Sequence, residues 1–329
     1  MARKKALIIR FSSIGDIVLT TPVIRCLKEQ RPDFELHYLT KRGYRKMIEP
    51  NPHISRRHYL KKELSQTLSA LRQEDYDVII DLHNNLRTFM IKSALRKPSY
   101  TFRKLNYEKW MLVNFNVNKL DDTHVVDRYM ETLAPFDIVN DGRGLDYFIP
   151  EEDEVDPSEL PASHRDGFVA IVIGAKYATK CLPTKKIIDI CKKVDQPVLL
   201  LGNKADKTRA YKIRNAVGDK VVNGCGVYNI NQSASLVRQS NKVIANDTGL
   251  MHIACAFQKE VIMVWGNTVP EFGMYPYLGE NGSGIWHSME VPDLSCRPCS
   301  KLGKKRCPKG HFNCMELQDV DRIAELAGS

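Results

Sequence analysis

No apolar run in this 329-residue chain approaches the ~18 residues that a membrane-spanning helix needs. The N-terminus is basic, but only Ala6–Ile9 precede the interruption at Arg10. That is too short for the apolar centre of a signal peptide. The expected compartment is therefore the cytosol, where thiols stay reduced. There is no low-complexity tract and no short repeat. The GxGxxG turn of a dinucleotide fold is also missing, because the first strand-to-helix junction reads Ser12-Ser13-Ile14-Gly15-Asp16. An aromatic-rich RNA-binding signature is absent as well. The length suggests about two domains of roughly 150 residues.

Charge of one sign is scarce near the start. The formal net charge is +10, and residues 1–62 hold 15 Lys/Arg against 5 Asp/Glu. Such asymmetry suits an anionic partner, whether nucleic acid, a membrane surface or a phosphorylated substrate; solubility alone is the plainer reading.

Apolar runs at 6–11, 35–40, 77–83 and 99–102 alternate with amphipathic stretches at 17–30, 64–73 and 86–95. This predicts βαβ units and a parallel sheet. Residues 150–166 are acidic and carry three prolines, the composition of an interdomain linker. Strands are then expected at 167–174, 197–202, 220–224, 242–247 and 260–266. Helices are expected near 183–194, 205–216, 229–240 and 249–257, with a last one at 315–327. The domains read as 1–155 and 156–314, followed by the helix through 329. The fold class is α/β, two parallel-sheet domains whose functional loops lie at the strands' carboxyl ends.

Three segments carry chemistry. Asp16 opens the helix after the first strand, where it suits a helix cap and also a general base; Ser12 and Ser13 are rival caps. In Asn246–Ala256, a strand ends at Asp247, Thr248 and Gly249 turn, and a helix begins whose first N–H groups suit a diphosphate. His252 lies one turn in. In Gly174–Lys186, Lys176 and Lys180 follow a strand end, where they suit phosphate neutralisation or simply a solvated basic loop.

Together with "DLHNNLR" (81–87), "TKCLP" (179–183), "VIMVWGNT" (261–268) and the tail "CRPC…CPKGHFNC", these segments resemble the bacterial heptosyltransferases of glycosyltransferase family 9. The pieces stand in the family's order over nearly the whole chain. The resemblance implies a GT-B fold, two Rossmann-like domains facing across a cleft, with acceptor bound by the first and nucleotide-sugar by the second. It implies transfer of heptose from ADP-heptose to a lipid A-linked lipopolysaccharide core, with inversion and no catalytic metal. Asp16 matches the proposed base. Lys180, Asp247, Thr248, Gly249, Leu250 and His252 match the donor site, and Asp206 is a further acidic candidate near the nucleoside. Arg10, Ser13, His83 and Arg87 would serve the acceptor. Leu182 stands where an aromatic is usual, and His83 where Gln is commoner, so donor and acceptor contacts differ there. A basic N-terminal region then suits peripheral attachment to the cytoplasmic face of the inner membrane. A transferase of the same fold with another nucleotide-sugar donor or another surface-glycan acceptor is the alternative.

Nine cysteines are present. Cys26, Cys181, Cys191, Cys225 and Cys255 are scattered and expected to pack as small apolar groups. Cys296, Cys299, Cys307 and Cys314 crowd one tail segment around His311. Their spacing suits a structural zinc site or an iron–sulfur cluster, or else reduced or disulfide-capable thiols. A nucleic-acid partner would rest on charge and this lone knuckle only, and none is expected.

Overall fold

The computed structural model describes residues 4–328 and divides into two compact units. The first comprises residues up to Lys104, with Thr123–Phe148 and Gly279–Asn281; the second comprises Leu105–Asp122, Ile149–Leu278 and the chain from Gly282 on.

The first unit's strands are β1 (Lys4–Ile9), β2 (Phe34–Lys41), β3 (Arg56–Leu60), β4 (Val78–Asp81) and β5 (Ser99–Thr101). They lie parallel in the order β3-β2-β1-β4-β5. Ala6, Leu7, Ile8 and Ile9 are all fully buried, as expected of a strand covered on both faces. Its helices are α1 (Ile14–Val18), α2 (Thr21–Gln30), α3 (Leu64–Arg72) and α4 (Leu86–Leu95); α5 (Asn106–Phe115) belongs to the second unit and α6 (Val125–Met130) returns to the first.

The second unit's strands are β6 (Val169–Val172), β7 (Val198–Leu201), β8 (Val221–Asn223), β9 (Lys242–Asn246), β10 (Glu260–Val264) and β11 (Trp286–Met289). They are parallel in the order β11-β10-β9-β6-β7-β8. Helices α7 (Thr184–Lys193), α8 (Lys207–Val217), α9 (Ile230–Gln239), α10 (Gly249–Ala256), α11 (Asn313–Glu316) and α12 (Val320–Gly328) complete it. The α/β fold with two parallel sheets is thus the one expected.

Four local expectations are corrected. The helix expected over 17–30 is two helices, because Thr20 and Thr21 hydroxyls donate back to Ile17 and Val18 carbonyls and Pro22, which lacks an N–H, sits at the start of α2. The edge strands β3 and β11 were not expected. They are only partly buried and lack a continuous apolar run. The helix expected at 315–327 is broken into α11 and α12, where Gln318 turns inward and donates to Trp265 O and Cys314 O, each at 2.9 Å. Residues 150–166 do not form a bare linker: Asp153 accepts from Asn229 and Asn231 at 2.6 and 2.8 Å, and Leu160 and His164 are buried.

Each strand order reverses once, between β1 and β4 and between β6 and β9. Loops leaving the carboxyl ends of such neighbours diverge and leave a crevice, the usual ligand site of open parallel sheets. The four loops concerned begin at Arg10, Leu82, Ile173 and Asp247.

Candidate active site

In the first unit, the loops after β1 and β4 converge on Arg10. Its guanidinium is buried and spends its donors on fixed partners. Nε donates to Ser12 O at 2.8 Å, Nη1 to Leu82 O at 2.5 Å and to the Tyr129 hydroxyl at 2.9 Å, and Nη2 lies 2.5 Å from Asp16 Oδ1. The other carboxylate oxygen of Asp16 accepts from Ser13 N at 3.0 Å and Ser13 Oγ at 2.6 Å. Ser12, Ser13 and Asp16 are rival caps in the sequence; here Ser13 and Asp16 form one capping box, and Asp16 also meets Arg10. Burial alone would raise the Asp16 pKa. The Arg10 charge and the Ser13 hydrogen bonds outweigh it and hold the carboxyl at about 2. The side chain is still 21% exposed, so an ionised oxygen is within reach of a ligand.

His83 packs against Phe11 with tilted rings, 4.8 Å between centroids, and its backbone N–H donates to Asp81 at 3.0 Å. Burial, with Arg10 and Lys104 nearby, lowers its pKa to about 4. Its buried Nδ1 finds no hydrogen-bond partner among the described residues. Arg10, Ser13, Asp16 and His83 are thus brought together. Arg87 is not tied in: it is exposed at the start of α4. Tyr129, from α6, completes the cluster and was missed, because its link to Arg10 spans 119 residues and leaves no local signal.

In the second unit, the loops after β6, β9 and β10 converge. Lys180 Nζ pairs with Asp247 Oδ2, which also accepts from Thr268 Oγ1 at 3.0 Å. Thr248 caps α10 without a side-chain cap bond, and its buried Oγ1 lacks a partner among the described residues. Gly249 and Leu250 form the first turn, where helical N–H groups have no partner within the helix. His252 is buried one turn further on. Gly266 lets this site close up: a Cβ there would stand 2.4 Å from Thr179 O. Thr268 and Gly266 were not singled out from sequence.

Asp206 packs against the loop after β6, since a Cβ on Gly174 would meet its Oδ2 at 2.2 Å. Lys176 lies over the Tyr177 ring, and Leu182 is buried in the core.

The cysteine tail docks on the same loop. Thr179 N donates to Lys304 O at 3.2 Å, and Lys304 N donates to Thr179 Oγ1 at 2.8 Å. Arg297 Nε donates to Gly266 O at 2.9 Å. Cys296 Sγ lies 3.9 Å from His311 Nε2. Burial first, then the nearby Cys299, Cys307 and Cys296, push the Cys314 thiol up to about 11, but among the described residues no three of the tail's ligand atoms lie within 4.8 Å of one another.

Among the described residues, His37, His58 and Glu74 are the three metal-capable side chains whose ligand atoms all lie within 4.8 Å of one another. They form a hydrogen-bonded network: both imidazoles lie 3.0 Å from the Tyr76 hydroxyl. Glu74 already holds Arg56 at 2.5 Å and Lys5 at 3.5 Å.

The family model for glycosyltransferase family 9 (heptosyltransferase) matches residues 65–302. Lipopolysaccharide heptosyltransferase 1 of Campylobacter coli is 21% identical over 288 residues, 80% of this chain and 84% of that protein. A glycosyl transferase family 9 structure from Veillonella parvula has a TM-score of 0.77 at 19% identity, covering 99% of this chain and 97% of that one. The Escherichia coli ADP-heptose lipopolysaccharide heptosyltransferase II has a TM-score of 0.68 at 17% identity, covering 95% and 98%. The match across both sheets makes the fold GT-B and the chain an enzyme of glycosyltransferase family 9.

Proposed function

We propose that this enzyme transfers heptose from ADP-heptose to a lipid A-linked core saccharide, with inversion and with protein groups in place of a metal. The observation that carries the reading is Asp16, an ionised and reachable carboxylate held by Arg10 and Ser13 at the first sheet's reversal point. The acceptor hydroxyl gives its proton to Asp16 as its oxygen bonds to the anomeric carbon. The bond from that carbon to the diphosphate breaks, and ADP leaves with the electron pair. Lys180 and the N–H groups opening α10 stabilise the leaving charge. Thr268 keeps Asp247 hydrogen-bonded while Lys180 turns to phosphate. Arg10 orients Asp16. Neutral His83 with its unpartnered Nδ1 and exposed Arg87 contact the acceptor. The donor reading draws on the Escherichia coli relative, whose substrate is ADP-heptose. Acting on a lipid-linked acceptor places the enzyme peripherally at the cytoplasmic face of the inner membrane.

The test is calorimetric titration with ADP, UDP and GDP in buffer free of divalent metal. Binding of ADP in preference to the others supports the reading. A preference for UDP or GDP moves the enzyme to another donor, and no binding of any nucleotide removes the donor-site assignment of 246–254.

A second, structural assignment rests on the tail. Four free thiols in one tail segment, with six Lys/Arg and no acid between Cys296 and Cys314, are the donor types of a soft cation such as zinc or iron. Cys296, Cys299, Cys307 and Cys314 would hold it, and it would brace the loop carrying Lys180. Metal analysis of protein purified without chelator tests this; absence of stoichiometric metal, with four titratable tail thiols, refutes it.

A further inference from the structure

Helix α5 has two apolar faces. Leu112 is buried with Val269 and Phe272, and Val113 packs partly against them. Lys109 is buried on the same side, over the Phe272 ring. The opposite face carries Tyr107, Trp110, Met111 and Phe115, spaced as one helical stripe. Tyr107, Trp110 and Phe115 are 60%, 50% and 59% exposed. Their rings are contiguous: Tyr107 stacks on Trp110 at 6.3 Å, and Trp110 meets Phe115 edge-on at 5.1 Å. Val117 and Leu302 add exposed apolar surface. Leu302 follows Lys301, whose ammonium donates to Asn106, the first residue of α5. A run of contiguous aromatic rings left in solvent on one face of a helix marks a surface that another body covers.

The rim says what covers it. Lys119, Lys301, Lys304, Lys305 and Arg306 are exposed nearby in sequence or on the docked tail. No acidic residue lies between Cys296 and Cys314, and Glu108 is the only one in α5. Tyrosine and tryptophan rings within a cationic border are the composition of an element lying at an anionic lipid interface. Glu108, Asp121 and Asp122 are the acids near it, so the border is predominantly basic, which favours an anionic lipid surface.

We propose that the exposed face of α5, with Leu302 and the basic tail, is the surface by which the enzyme docks on an anionic phospholipid membrane. This deepens the proposed action on a lipid-linked acceptor and rests on that reading for its purpose. It shifts the anchor from the basic N-terminal region to the second unit: aromatic rings enter the interface, and the tail lysines sit at phosphate level.

The test is flotation of the full chain with vesicles of phosphatidylglycerol and phosphatidylethanolamine, against vesicles of phosphatidylcholine. Wild type is expected to float with the anionic vesicles only, and Trp110→Ser/Phe115→Ser to lose about tenfold or more in partitioning. Both substituted side chains are exposed, so an unchanged melting temperature and ADP titration report an intact fold. Brominated lipids place the contact: they quench wild-type fluorescence, and the quenching disappears in Trp110→Phe while flotation remains. Equal flotation of wild type and the double variant overturns the assignment, as does absence of quenching. A dimer in solution that Trp110→Ser/Phe115→Ser dissolves overturns it in favour of a second copy. Transfer to a delipidated soluble acceptor is measured alongside. Its presence without vesicle binding fails the docking surface alone, and its absence with vesicle binding intact fails the transferase reading alone.

Discussion

Arg10 Nη2 lies 2.5 Å from Asp16 Oδ1, and the same guanidinium reaches Leu82 O and Tyr129. One buried cation thus ties the catalytic candidate to the loops after β1 and β4 at once. Asp16→Asn keeps the shape and most hydrogen bonds but cannot take a proton. Initial rates of transfer should fall by about 10²–10⁴-fold, while ADP affinity in calorimetry stays within a factor of two or so.

Removing the cation instead strands the carboxylate. Arg10→Met should cost about 3 kcal/mol in urea unfolding, because it leaves a mostly buried charge without its partner. Arg10→Met/Asp16→Asn should recover part of that loss. A strictly additive pair would show that the two residues do not act as a unit.

Acid sensitivity should have two separable parts. Asp16 sits at about 2 against an ordinary 3.8, so it stabilises the fold above pH 3.8 by about 2 kcal/mol, a contribution lost as pH falls from 3.8 through 2. His83 stays neutral down to about 4 instead of 6.5; the unfolded chain therefore binds its proton first, and stability falls as pH drops from 6.5 towards 4. His58, also held at about 4 by burial and His37, shares that window. Melting temperature against pH should lose part of its slope below 3.8 in Asp16→Asn, the rest coming from carboxylates such as Asp141 that arginines also hold low, and part of its slope between 6.5 and 4 in His83→Gln. The kcat/KM profile of the free enzyme should show no Asp16 ionisation above pH 4.

Lys180→Ala should weaken ADP binding about 10- to 100-fold, the size of a lost hydrogen bond between charged groups. Calorimetry measures it, and the affinity for an uncharged nucleoside should not move. An equal loss for adenosine would mean that the loop has collapsed and that no phosphate contact was removed.

Gly266→Ala tests the packing behind that lysine. The new methyl would meet Thr179 O at 2.4 Å and Met315 Cε at 2.6 Å, so the Thr179–Lys180 turn must move. ADP affinity should fall while β1, in the other unit, keeps its protection in hydrogen exchange.

Much of this was readable from residues. Continuous runs such as Val198–Leu201 are buried on both faces and announce themselves by composition. The strand-end segments ending in Asp16, Lys180 and Asp247 were visible because turn residues follow apolar runs directly. The edge strands β3 and β11 were not, since a strand half in solvent needs no apolar run. Tyr129 was hidden for another reason: nothing near Val125–Met130 says that a buried arginine 119 positions away will want a hydroxyl. The Thr268 bond to Asp247 was likewise a product of strand order, which brings β10 beside β9; the motif "WGNT" does not carry it. The break at Gln318 depends on the carbonyls of Trp265 and Cys314, acceptors that the helical pattern cannot foresee.

The paired hydrogen bonds between Thr179 and Lys304 make the tail and the Lys180 turn one thermodynamic system. Whatever restrains the tail lowers the entropy that nucleotide binding must still remove from the turn. By linkage the reverse holds with equal strength: a bound nucleotide tightens the tail by the same factor. The cysteines, which touch no proposed substrate, would therefore read occupancy of the donor site as a change in their own reactivity.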